Sequence, residues 1–210
     1  MRILVTGNQG YIGTVLTDIL INKGYSVTGL DTNYYEPLTL LPLTAKKIKQ
    51  VSKDIRKIDH QDLKNIDAIV HLAALSNDPV GELDPKLTSD INFKSTIKLA
   101  LLAKKLAIKR FVYVSSQSIY GISGTDEELE EDSSRKNPIT AYAKTKWETE
   151  ITLKKLQSDR FLVVCFRPST VFGASPKLRC DIVFNNLVAC AYTTGKIEIK
   201  SDGTPWRPVV

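Results

Sequence analysis

The chain opens on a continuous apolar run, Ile3-Leu4-Val5, and passes at once into a helical pattern. Ile12, Val15, Leu16, Ile19 and Leu20 are spaced for one face of a helix over 11–23, and Gly24 follows the last turn, where a glycine stops a helix. The alternation then repeats. Apolar runs predict strands over 25–30, 48–52, 68–72, 111–114 and 161–166, and helical spacing predicts helices over 88–107 and 141–156. The stretch 33–45 holds two prolines and 121–138 is polar with turn signals; both read as loops. Strands that are continuous apolar runs, alternating with helices, predict an α/β fold of the Rossmann type. Its doubly wound parallel sheet would be covered on both faces. Beyond Gly173 the character changes: a helix over 181–192, a short strand over 197–200, a turn at Asp202-Gly203-Thr204-Pro205, and Pro208-Val209-Val210 as the start of another strand. The expected division is one domain over 1–173 and part of a smaller unit over 174–210, with the pattern cut short at Val210.

Composition narrows this little. With 42% hydrophobic and 25% charged residues in 210, the chain can bury an ordinary globular core. The net charge of +6 is carried by lysines such as Lys94, Lys98, Lys104 and Lys105, which fall opposite apolar helix positions. They read as a solvated helix face and not as a nucleic-acid surface. Cys165, Cys180 and Cys190 lack metal-ligand spacing and are odd in number, which predicts reduced thiols in a cytoplasmic protein and no metal. The apolar N-terminus is too short for a signal peptide or a membrane span, and no membrane partner is expected.

Three motifs carry chemistry. Gly7-Asn8-Gln9-Gly10-Tyr11-Ile12-Gly13 follows the first strand and opens the first helix. Glycines there let the backbone approach a pyrophosphate, and the helix N-terminus presents free amides to it. Asp31, eighteen positions after Gly13, ends the second strand, where a carboxylate accepts hydrogen bonds from a ribose and repels a 2′-phosphate, favouring NAD over NADP. Tyr142-Ala143-Lys144-Thr145-Lys146 puts a tyrosine and a lysine on one helix face. A free tyrosine is too weak an acid to serve as a base at neutral pH, but a nearby ammonium favours its phenolate, as would a positive nicotinamide. Lys146 is also placed to hold a cofactor ribose. Ser116, in Ser115-Ser116-Gln117-Ser118, follows a strand at the end where ligands of parallel sheets bind. Each feature alone has a plainer reading: a tight turn, a strand-end aspartate, a surface Tyr and Lys, a turn serine. Their order along one chain is what points to a dinucleotide enzyme.

With these residues the chain resembles the extended short-chain dehydrogenase/reductase family, in its NAD-dependent epimerase/dehydratase branch. The likeness is carried by Val5-Thr6-Gly7 through Gly13, Asp54-Ile55, His71-Leu72-Ala73-Ala74, Asn92, Val114 through Gly121, Tyr142 through Lys146, and Arg167 through Gly173. The resemblance implies that Gly7, Gly10, Tyr11, Ile12 and Gly13 hold the pyrophosphate of NAD. It implies that Asp54 and Ile55 flank the adenine, that Leu72, Ala73 and Ala74 run beneath the dinucleotide, and that Asn92 supports the helix beside the catalytic residues. Ser116, Tyr142 and Lys146 would form the catalytic triad. Gln117, Thr170, Asn186 and Arg207 would face a nucleoside-diphosphate sugar, with Asn186 and Arg207 toward its phosphates. Family members carry asparagine where this chain has Thr170, and they continue well past Arg207, so 174–210 would be only part of a sugar-nucleotide lobe.

The family's 4,6-dehydratases place two acids where this chain has Gln117 and Ser118, and those side chains cannot act as a carboxylate pair. The resemblance therefore favours epimerisation at C4 through a transient 4-keto sugar, of the UDP-glucose 4-epimerase kind. A 4,6-dehydratase or 4-ketoreductase shares most of the same residues. A non-catalytic NAD-binding regulator on the same fold is the contrasting class. A homodimer joined through the helices 88–107 and 141–156 is expected, with Trp147, Ile151 and Leu153 among the apolar positions beyond one buried face; Trp147 reads equally as core.

Overall fold

The computed structural model describes residues 1–40, 48–122, 128–199, 201–202 and 208–210. Six strands run parallel: β1 (Arg2–Thr6), β2 (Ser26–Asp31), β3 (Lys49–Ser52), β4 (Ala68–His71), β5 (Arg110–Val114) and β6 (Leu162–Phe166). Their order in the sheet is β3-β2-β1-β4-β5-β6. The order reverses between β1 and β4, which opens a crevice at the strands' C-terminal ends. Leu4 sits between Thr28 and Ile69, in the middle of the sheet.

Successive residues of a strand point to opposite faces, and the apolar runs therefore feed two cores. On one face Leu4, Leu30, Ile69, Phe111 and Tyr113 pack with helices α4 (Ser95–Lys105) and α5 (Ala141–Leu156), through Leu99, Ala100, Ala103 and Leu153. On the other face Ile3, Val5, Val27 and Ala68 pack with Leu20 and Ile21 of α1 (Tyr11–Asn22). The second face is covered unevenly. Leu162, Val164 and Phe166 of β6 remain 49%, 48% and 57% exposed, so the expectation of a sheet covered on both faces fails at this edge among the described residues.

The remaining helices differ from the sequence pattern in instructive ways. The helix expected over 88–107 starts earlier, as α3 (Pro85–Ser89), and is interrupted by a π-helical turn, Asp90–Lys94, before α4. A six-residue helix, α2 (Asp78–Leu83), was not foreseen; it is started by Asn77, whose side chain accepts from Val80 N at 3.0 Å, and is too short to show a period. The last helix, α6, spans Val183–Thr194. No strand forms over 196–199; Lys200 lies outside the described residues. The expected final strand is present as a single parallel bridge between Val209 and Thr170.

Candidate active site

The loops that leave β1, β4 and β5 meet the start of α5 at the crevice where strand order reverses. Gly7 has φ +73, and a Cβ on it would lie 2.7 Å from Ala73 N. A Cβ on Gly13 would lie 2.1 Å from Gly7 O. Backbone thus comes so close on both sides of the turn that no side chain fits. Gly10 is the N-cap residue of α1 and no side chain caps the helix. The first amides of α1, on Tyr11, Ile12 and Gly13, have no carbonyl within the helix, and they form a donor cradle at its positive end.

Asp31 borders that cradle. Its carboxylate accepts from Gln9 N at 3.1 Å and from Asn33 N at 3.0 Å, leaving further lone pairs at the end of β2. Asn33 holds a left-handed φ of +58, and its Oδ1 is a buried acceptor with no partner among the described residues. A glycine-lined cradle, an uncapped helix and an unpartnered acceptor beside a strand-end carboxylate together suit a dinucleotide. Asp54 caps a 3-10 turn, Ile55–Lys57, and forms an ion pair with Arg56 that holds its carboxyl below the usual range. The Ile55 side chain enters the core beside Leu4 and Leu30, which leaves its backbone for any contact with a ligand. Leu72 and Ala73 run past Gly7, with Leu72 N bonded to Thr6 O at 3.0 Å, and Ala74 continues the same segment. Asn92 is buried in the π-helical turn and clasps Leu75, accepting from its amide at 2.8 Å and donating to its carbonyl at 3.1 Å.

The hydroxyl-bearing groups gather a few residues away. Thr140 caps α5, accepting from Ala143 N at 3.1 Å, and this fixes where the helix begins. Tyr142 and Lys146 then fall one turn apart. Lys146 is 4% exposed, donates to Val114 O at 2.7 Å, and lies 5.6 Å from the centre of the Tyr142 ring and 4.9 Å from that of Tyr113. Burial lowers its pKa to about 8, against the opposing charge of Glu150. Burial raises the Tyr142 pKa; a hydrogen bond with Ser116 and the charge of Arg179 pull it down, and Asp78 pushes it up. Arg179 thus adds a second positive charge beside the phenol. The Lys146 ammonium donates one proton to the Val114 carbonyl and lies over the Tyr142 ring face. Ser116 caps the 3-10 turn Gln117–Tyr120, accepting from Ser118 N at 3.1 Å, and shares a 2.5 Å contact with Ser118 Oγ. Gln117 is anchored through its amide to Pro168 O at 3.2 Å.

The expected substrate residues are less gathered. Thr170 is half-buried and its backbone bonds to 208–210. Asn186 is exposed on α6 and donates to Cys180 O at 2.9 Å. Its neighbour Asn185 is the buried one, accepting from Gly173 N and donating to Tyr11 OH and Arg179 O. Arg207 lies outside the described residues. Sequence reasoning missed three contributors. Arg179 is one, and its pairing with Asp181 gave a faint signal, two opposite charges just before a helix. Lys177 is another: its buried ammonium donates to Tyr35 O at 2.6 Å and Glu36 O at 3.1 Å, tying the loop after Asp31 to the segment after β6. The third is Asn8, paired both ways with Gln50 and seated over Gly29, where a Cβ would lie 2.3 Å from Asn8 Nδ2. A glycine inside a strand was the signal for it.

The NAD dependent epimerase/dehydratase family matches residues 3–210 of the chain. A UDP-glucuronate 4-epimerase of Thermodesulfobacterium geofontis is 30% identical over 97% of the chain. The chain spans 66% of that relative's length, just under two thirds. Among solved structures, TunA, an NAD dependent NDP-hexosamine 5,6-dehydratase of tunicamycin biosynthesis, superposes with a TM-score of 0.86 at 26% identity, over 99% of this chain and 67% of its own. MoeE5 in complex with UDP-glucuronic acid and NAD superposes with a TM-score of 0.83 at 29% identity, over 100% and 67%.

Proposed function

This chain belongs to the NAD dependent epimerase/dehydratase family, and on that premise we propose that it is the cofactor-binding and catalytic part of an NAD-dependent sugar-nucleotide epimerase acting at C4. The observation that carries the reading is the meeting of Ser116, Tyr142 and Lys146 beside the glycine cradle at the sheet's reversal point. Residues 1–173 are the NAD-binding domain with the triad, and 174–210 begin the lobe that takes the nucleoside-diphosphate sugar. UDP-sugars are the first substrates to test, because UDP-glucuronate and UDP-glucose 4-epimerases stand among the relatives.

In this reading Gly7, Gly10, Tyr11, Ile12 and Gly13 hold the pyrophosphate of NAD, and Asp31 the adenosine ribose. Asp54 and the Ile55 backbone border the adenine, Leu72, Ala73 and Ala74 floor the groove, and Asn92 supports that segment and the helix beside the catalytic residues. NAD, when bound, would supply reversible hydride transfer at the sugar carbon, the chemistry that a transient 4-keto sugar requires. Tyr142, as phenolate, accepts the proton of the sugar 4-hydroxyl and later gives it back. Ser116 hydrogen-bonds the same oxygen and, with Arg179, counters part of the burial that raises the Tyr142 pKa; a positive nicotinamide beside the ring would act in the same direction. Lys146, fixed by Val114 O, presents its remaining protons to the nicotinamide ribose. Gln117 and Thr170 border the sugar, and Asn186 and Arg207 its phosphates. At the positions where a dehydratase would need two acids, the Ser118 hydroxyl is tied to Ser116 and Gln117 carries an amide. Neither can shuttle the extra proton. The helix α4 leaves Leu101 half exposed in a trough of about 470 Å³ lined by Phe93, Ile97 and Leu102 together with Lys94, Lys98 and Lys105, and this α4 face is our homodimer surface; Ile151 of α5, also expected there, borders a separate hollow with Phe166. Leu153, expected there, is wholly buried in the chain's own core. Among the described residues no helix is long and apolar enough to cross a membrane; free cysteines fit a reducing cytoplasm.

The test is proton NMR of the chain mixed with NAD and UDP-galactose, and in parallel with UDP-glucuronate. Interconversion at C4 without net NADH is expected. Tyr142→Phe should then slow turnover by about 10²–10⁴-fold while NAD stays bound. Bound NAD with neither sugar converted would overturn the epimerase reading in favour of a binding protein or another reaction.

A further inference from the structure

Behind the crevice a buried histidine joins two threonines, and the direction of every hydrogen bond around it can be worked out. Thr6 and Thr96 are fully buried and His71 is 1% exposed. Thr96 Oγ1 lies 2.7 Å from Asn92 O, and a carbonyl only accepts, so the hydroxyl proton of Thr96 is committed there. The same oxygen lies 2.7 Å from His71 Nε2 and has only a lone pair left to offer. Nε2 must therefore carry a proton. At the other end the amide of Ala73 donates to Thr6 Oγ1 at 3.4 Å, and that oxygen lies 2.6 Å from His71 Nδ1. If Nδ1 also carried a proton, Thr6 would face two donors with its own proton unplaced in a dry site. A bare Nδ1 accepts the Thr6 proton and satisfies all three groups. The run is then Ala73 N–H to Thr6, Thr6 to His71, His71 to Thr96, and Thr96 to Asn92 O.

Both ends of this run hold the segment 73–75, which passes the phosphate turn. Ala73 is held by Thr6, next to the point where Gly7 comes too close for a Cβ. Leu75 is held by the Asn92 side chain. The Asn92 amide also reaches Thr145, the neighbour of Lys146. His71 is the strut between the two clamps.

We propose that His71 is a positioning residue, locked as the neutral Nε2–H tautomer, that fixes the segment 73–75 against the phosphate turn on one side and against the Asn92 turn on the other. The tautomer stands on the fold alone; its effect on the cofactor rests on the NAD reading above. The titratable groups facing the ring are Lys146, whose charge disfavours an imidazolium, and Tyr113, stacked at 6.0 Å. Burial first, and Lys146 second, hold the imidazole pKa down to about 3. The chain has two histidines, His71 and the exposed His60, and a His60→Gln variant assigns the ring signals to His71.

The experiment labels the intact chain with ¹⁵N-histidine and follows the long-range ring correlations from about pH 5 to 8, where a free imidazole titrates. The expected result is a His71 pattern with Nδ1 bare and Nε2 protonated, unchanged across that range. A protonated Nδ1, or a His71 pattern that changes across that range, overturns the assignment. Thr96→Val should weaken NAD binding by up to about tenfold, the size of one neutral hydrogen bond, and Thr96→Ser should restore it. Circular dichroism and melting establish that both variants fold. Unchanged NAD affinity in Thr96→Val overturns the positioning role. A wild-type chain that binds no NAD sinks the cofactor reading instead; the role is then decided by whether the Ala73 and Leu75 amides lose exchange protection in Thr96→Val and regain it in Thr96→Ser.

Discussion

A lysine enclosed by two tyrosine rings and a carbonyl gives up its proton more readily than one in water, because no solvent stabilises the charge. For Lys146 burial brings the pKa from 10.5 to about 8, even with Glu150 opposing. The sign follows directly. Between about 8 and 10.5 the unfolded chain holds a proton that the folded chain has released, so the folded state loses relative stability as pH falls through that window. The charged form that would hold a ribose is present below about 8 and fades above it. Titrating NAD at a series of pH values should show affinity falling as pH rises through about 8, and Lys146→Met should remove that dependence. A flat profile in the parent chain would mean that the ammonium does not hold the cofactor. The pairing of Tyr142 with Lys146 was legible because a helix brings residues four apart together. What tunes the tyrosine was not. Asp78, at the start of α2, and Arg179, before α6, come from parts of the chain distant from Tyr142, and no local spacing announces them.

Elements differ in how well the sequence announces them, and the reason is whether their cause is local. All six strands and the helices α1, α5 and α6 were readable from apolar spacing, to within a residue or two at most boundaries. The π-helical turn was not, because a longer-range fit decides it: the amide of Ser95 bonds back to Asp90 O, and Asn92 turns inward to clasp Leu75. The phosphate turn lies between these cases. Its glycine spacing was plain, but the structure ranks the glycines. A Cβ at Gly13 meets backbone at 2.1 Å, and backbone cannot swing away; at Gly10 the nearest atom is 3.3 Å off and the backbone is extended. Gly13→Ala should therefore cost roughly 1–3 kcal/mol or more and abolish NAD binding, while Gly10→Ala should be much milder in melting temperature. Equal effects in melting curves and NAD titrations would mean that the turn does not work through close backbone approach.

At the scale of the whole molecule the proposed homodimer has two candidate apolar surfaces among the described residues. One is the α4 face with Leu101, 50% exposed, on the side of the sheet that the helices cover. The other is the bare edge of the opposite face, where Val112 lies beside Val164 and Val114 beside Phe166 in register. The doubly wound order was legible from the alternation of runs, but the bare edge was not, because a continuous apolar strand reads the same whether or not a helix lies over it. The two surfaces make different predictions. A paired helix surface gives a defined dimer, whereas an uncovered strip of sheet gives weak, non-stoichiometric sticking. Light scattering at micromolar concentration should show a dimer that Leu101→Glu converts to a monomer. Val164→Thr combined with Phe166→Thr should leave the dimer intact and reduce aggregation and the binding of a hydrophobic dye, since both side chains are about half exposed and their loss opens little cavity. If the β6 variant dissolves the dimer and Leu101→Glu does not, the subunits meet across the open sheet edge, and the helix-face dimer is wrong.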